Sequence, residues 1–68
     1  MECELRGEYK PDPHGRVIHM WHVVAFGADQ GLCGHGISSN ADALPVSDLD
    51  ELTSEERCRP CWQAFHAL

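Results

Sequence analysis

With 68 residues, 43% of them hydrophobic and 7% aromatic, the chain has room for one domain with a thin core. Six Gly and four Pro raise the entropic cost of folding, so the domain needs a staple: disulfides, a metal or an oligomer. Five Lys and Arg against eleven Asp and Glu leave a net charge of −6 with histidine neutral, the wrong sign for a general polyphosphate binder. A doubly wound nucleotide fold, a barrel or an enzyme with a large buried cleft is excluded by length alone.

Met1-Glu2-Cys3-Glu4 is acidic, and neither a basic n-region nor an apolar h-region follows. The expectation is a cytoplasmic chain whose four cysteines stay reduced. Residues 1–16 are polar and punctuated by Pro11, Pro13 and Gly15, which predicts an extended N-terminal arm. Val17 to Phe26 is β-branched and aromatic, and predicts a strand. It is the longest apolar stretch, but at ten residues with two histidines it predicts no membrane span. A turn over 27–31 and a short return strand at Leu32-Cys33-Gly34 would complete a β-hairpin.

Residues 35–40 read as a loop, and 41–57 as an acidic loop with one or two helical turns near 47–52. Thr53-Ser54-Glu55-Glu56 has the form of a capping box, yet no apolar run follows it. The acidic charge reads as a solvated face. Cys58 to Leu68 predicts a short helix with Pro60 at its first position and Cys61, Phe65 and Leu68 on one face beside Trp62. The predicted fold is a small α+β metal-stapled domain: residues 17–68 form a hairpin plus C-terminal helix, zinc-ribbon or treble-clef-like, behind the arm of 1–16.

The sharpest chemical signal is Cys58-x-x-Cys61 at a helix start. Two thiolates three residues apart can point the same way, and the free N–H groups of a first helical turn offset their charge. Zinc takes four such donors in a tetrahedron. Cys33 supplies the third, because Gly34 behind it lets the chain turn tightly around an ion. The candidates for the fourth are Cys3, His14, His19, His22, His35 and His66. Strand parity favours His22: in the commonest hairpin registers it shares the Cys33 face, about 5 Å away when directly opposite, whereas odd-length loops put His19 on that face but roughly 13–20 Å from Cys33. A bulge would shift that parity. Cys3, which would give a Cys₄ set, is the main competitor. The expected site is His22, Cys33, Cys58 and Cys61, binding one Zn²⁺. His14, His19, His35 and His66 read as surface or supporting groups, with His35 close enough to support the site.

Trp21-His22-Val23-Val24, Leu32-Cys33-Gly34-His35 and Cys58-Arg59-Pro60-Cys61-Trp62 together resemble small uncharacterised zinc-finger-like proteins of actinobacteria. The resemblance spans residues 17–34 and 58–65, about forty percent of the chain. It implies metal binding at the same four positions and carries no established activity.

The leading functional expectation is a non-enzymatic, zinc-stabilised module that meets a protein partner, since four protein ligands leave no open coordination position. One alternative is a nucleic-acid-binding finger or small transcriptional regulator using Arg16, Arg57 and Arg59. A zinc enzyme with water in the fourth place is another, and a dithiol redox protein a third. The last requires a βαβ surround, and only seven residues follow Cys61.

Overall fold

The computed structural model describes residues 2–38 and 40–68; the side chains of residues 11, 12 and 16 lie outside the description. Strand β1 (Cys3–Asp12) and strand β2 (Gly15–Ala25) pair antiparallel across a two-residue turn at Pro13-His14. A three-residue strand β3 (Ala43–Pro45) adds to the other side of β1, giving the order β2-β1-β3. A 3₁₀ turn follows over Val46–Glu51, and helix α1 (Arg59–His66) ends the chain. The molecule is therefore a small α+β domain with a three-stranded antiparallel sheet, a hairpin and a short C-terminal helix. No helix among the described residues is long and apolar enough to cross a membrane.

Besides strand β3, which forms inside the predicted acidic loop of 41–57 and pairs with β1, two sequence expectations change here. The predicted arm over residues 1–16 is largely strand β1, at the centre of the sheet. Its alternation supplies the reason: Cys3 and Leu5 are buried, while Glu4, Arg6 and Glu8 lie on the opposite face of the pleat. The proline and glycine punctuation falls at the far end of the hairpin, where Pro11 pairs with Arg16 and Asp12 with Gly15. Gly15 takes φ +127°, a conformation open to glycine.

The second change concerns the hairpin. The partner of β2 is β1, with Arg6 opposite His22, and Leu32-Cys33-Gly34 is a turn instead of a return strand. A bulge also interrupts β2. Glu8 pairs with Met20 and Tyr9 with Ile18, so His19 is the extra residue and alternation reverses there.

Both faces of the sheet are covered. Cys3, Leu5 and Val23 pack with Leu49 of the 3₁₀ turn and with Cys58 and Cys61, flanked by Met20, Trp21, Leu44, Trp62 and Phe65. On the other face Val24 packs with Ile37 and Ala41, against Tyr9. These two clusters are small, as the composition predicts.

The free edge of β2 matters most for the site. An edge strand presents unpaired backbone groups, and two segments use them. Trp21 N–H donates to the Glu56 carbonyl (2.7 Å) and Cys58 N–H donates to the Trp21 carbonyl (2.8 Å), a short parallel bridge. Two residues on, Leu32 N–H donates to the Val23 carbonyl at 2.8 Å. The chain on either side of His22 is thus tied to the two segments that carry Cys58 and Cys33.

Helix α1 begins after Cys58, with Pro60 in its first turn, where a missing N–H costs nothing. Cys61 is fully buried and Phe65 half-buried, but Leu68 lies beyond the helix and is 69% exposed. The predicted three-residue face is therefore one turn shorter. In the acidic segment, Glu56 Oε1 accepts the Thr53 N–H at 3.1 Å. This is one arm of a capping box, here closing a turn with no helix behind it.

Candidate metal centre

His22 Nδ1 and the sulfurs of Cys33, Cys58 and Cys61 form one group, every donor atom within 4.8 Å of every other. Three elements supply it: the edge strand β2, the turn at 31–36 and the N-terminus of α1. His22, Cys58 and Cys61 are buried, while Cys33 sits at the surface. Cys3 is buried in the same core but is not part of this group among the described residues. His14 and His19 are exposed at the turn and the bulge, and His66 lies by Asp50 and the Trp62 ring. The four residues expected from the sequence are the four brought together.

The spacing suits a metal. Zn–S of about 2.3 Å and Zn–N of about 2.0 Å, at tetrahedral angles, require an N···S separation of about 3.5 Å. His22 Nδ1 lies 3.5 Å from Cys33 Sγ and 3.6 Å from Cys61 Sγ. A single imidazole lone pair cannot accept two thiol protons well, whereas one ion between the three atoms satisfies all of them. Soft thiolates with one imidazole are a donor set that zinc favours.

The backbone around the sulfurs is arranged for negative charge. Burial pushes the Cys33 thiol up, but hydrogen bonds from the His35 backbone and the neighbouring thiols outweigh it, so Cys33 ionises below its ordinary value. Burial dominates at the other two. It raises Cys58 and pushes Cys61 up to about 12, although backbone N–H groups of Cys61 and Cys33 point at those sulfurs. A metal is what would hold all three as thiolates at neutral pH.

Two glycines fit the backbone to the site. Gly34 adopts φ +92°, the turn behind Cys33 that only glycine makes without strain. Gly31 is buried against the cluster: a Cβ there would lie 3.0 Å from Cys61 Sγ, 3.2 Å from His22 Cβ and 3.5 Å from Cys33 Sγ. Gly31→Ala should push these groups apart and weaken metal binding by at least about tenfold, a geometric cost of roughly 1.4 kcal/mol or more. Competition with a zinc chelator measures it.

Glu8 is the residue that sequence reasoning missed. Its Oε1 lies 2.8 Å from His22 Nε2 and 3.0 Å from His35 Nε2. The His22 hydrogen bond leads in lowering the Glu8 carboxyl below its ordinary value, so the carboxylate accepts and His22 Nε2–H donates. That fixes the tautomer and leaves the Nδ1 lone pair facing the sulfurs, the carboxylate–histidine arrangement that orients a metal ligand. His35 stacks on His22 with ring centroids 5.1 Å apart and planes within 8°, steadying the ring from its open side. Its supporting place follows from the sequence; Glu8 does not, because β1 reads as an arm. Glu8→Ala should leave the four donors in place yet weaken metal binding by about 10- to 100-fold, again by chelator competition.

No known protein family, no curated protein and no solved structure matches this chain. What fold and site define is a small α+β chain with a Cys₃His cluster able to hold a metal ion.

Proposed function

We propose that the chain is a structural zinc module of the cytoplasm, non-enzymatic, whose task is to present a surface to a protein partner. One observation carries this reading: four donors from three separate segments lie within 4.8 Å of one another, enough to fill a four-coordinate site without water. A catalytic zinc keeps a position for water or substrate, and a Cys₃His set leaves none. The ion's role is then to tie the edge of β2, the 31–36 turn and α1 into one body.

Loss of three thiol protons and gain of one Zn²⁺ take the formal charge from −6 to −7, which disfavours a duplex as the partner. A tagged, zinc-loaded chain tests the reading in a cell extract beside a shift assay on random duplex at physiological salt. The expected result is a stoichiometric protein partner, lost on chelation, with no retarded DNA. Submicromolar binding to random duplex at that salt would contradict the protein-interaction reading and favour the nucleic-acid finger.

A further inference from the structure

A second feature lies beside the metal cluster and is not used by it. Ser54, Arg57, Arg59 and Trp62 line a cleft of about 390 Å³ where the acidic segment meets the start of α1. That volume falls at the small end of the range for sites that enclose small molecules. Two of the chain's five cationic side chains converge on it, and neither forms an ion pair among the described residues. In a protein of net charge −6, with carboxylates available for pairing, two unpaired guanidinium groups in one cleft need an account.

The cleft is also built to stay in shape. The Arg57 guanidinium lies over the Trp62 ring, 4.8 Å from its centroid, a cation–π contact that holds it at the cleft wall. Arg57 is bridged to Trp21 of β2, and Arg59 opens helix α1, so both arginines are anchored on either side of Cys58. Ser54 adds a hydroxyl donor. The Trp62 Nε1–H is buried and meets no acceptor among the described residues. The lining groups among the described residues are donors and an aromatic surface, without a carboxylate. The positive end of α1 adds to the same field.

We propose that this cleft binds the phosphate group of a small phosphomonoester. Two planar guanidinium forks match a dianionic phosphate in charge and in bidentate geometry, which a single carboxylate uses only by half. The remaining volume and the Trp62 surface take a compact organic body. The protein's overall acidity does not oppose this at contact range, because charges beyond about 8 Å are screened at physiological salt. The cleft goes beyond the structural-zinc reading and is tested separately from it.

The experiment titrates the purified full chain with phenyl phosphate, with inorganic phosphate and with phenyl sulfate, a monoanion of nearly the same shape. Binding is followed on the two tryptophan indole N–H resonances, with Trp21→Phe identifying that of Trp62. Saturable binding of phenyl phosphate is expected to move the Trp62 signal, about tenfold tighter than phenyl sulfate, with inorganic phosphate weaker but at the same site. Arg59→Gln, an exposed substitution, should weaken phenyl phosphate at least about tenfold while metal content stays at the wild-type level. Arg57→Gln should do the same, and the Arg59 variant decides if the Arg57 variant disturbs the fold. Equal affinity for phosphate and sulfate esters, no saturable shift, or unaltered binding in Arg59→Gln would each overturn the proposal. Because metal content is read independently, failure here leaves the zinc reading standing, and failure of the zinc reading leaves the titration interpretable.

Discussion

Replacing Cys61 with serine should strip the chain of stoichiometric zinc and of its fold together. Cys61 is the hub of the cluster: fully buried, 3.6 Å from His22 Nδ1, and packed in the core with Cys3, Leu5 and Val23. A core of this size supplies about 3–5 kcal/mol, whereas structural zinc contributes on the order of 10 kcal/mol or more of coupled folding free energy. Losing the second term leaves the first unable to meet the cost of ordering the chain. His22→Ala should have the same sense with a smaller effect, since three thiolates remain and water can enter the vacated position. Cys3→Ser is the control. Cys3 is also buried but lies outside the four-donor group, so this variant should keep one zinc per chain and lose only packing energy. Metal analysis together with circular dichroism reads all three variants. Zinc retained in Cys61→Ser and lost in Cys3→Ser would reverse the ligand assignment.

Chelation at neutral pH should unfold the wild-type chain, and acid should do so at far lower chelator concentration. The sign follows from the thiols. A thiol in the unfolded, metal-free chain carries its proton at neutral pH, and burial in the fold without metal raises Cys58 and pushes Cys61 up to about 12. The metal-bound state requires them ionised, so binding releases protons and strengthens as pH rises. With up to three thiol protons released on binding, each pH unit lost below the ordinary thiol range weakens zinc by about a hundredfold or more. Competition titrations with amide dispersion as readout should show affinity and fold lost together as pH falls. Dispersion that survives exhaustive chelation under reducing conditions would mean that the metal is dispensable for folding.

The donor set was legible in the sequence because ligand chemistry is written in residue type and short spacing. Cys58-x-x-Cys61 before a proline, and Cys33 before a glycine, needed no knowledge of the sheet. His22 emerged from strand parity, but the structure reaches the same residue by another route. His22 meets Cys33 because Trp21 and Val23 spend their outward backbone groups on the segments that bring Cys58 and Cys33 alongside. Long-range pairing of that kind leaves no local signature. Residues 3–9 did carry one, the alternation of Cys3 and Leu5 with Glu4, Arg6 and Glu8, but Pro11, Pro13 and Gly15 outweighed it. Misreading that strand hid Glu8, whose role exists only once β1 lies against β2. Most of the charges in the acidic segment are solvated, as its composition indicates, but strand β3 inside it leaves no such signal, and Ala41 and Leu49 turn inward to the two cores.

A cobalt(II) titration of the reduced chain tests the four-residue centre most directly. Tetrahedral coordination by three thiolates and one imidazole gives intense visible bands, saturating at one equivalent of cobalt and bleached by one equivalent of zinc. His22→Ala should change the band pattern, Cys33→Ser, Cys58→Ser and Cys61→Ser should each weaken it, and Cys3→Ser should leave it as in wild type. Absence of those bands, or a spectrum that follows Cys3 and ignores His22, would contradict a metal centre built from His22, Cys33, Cys58 and Cys61.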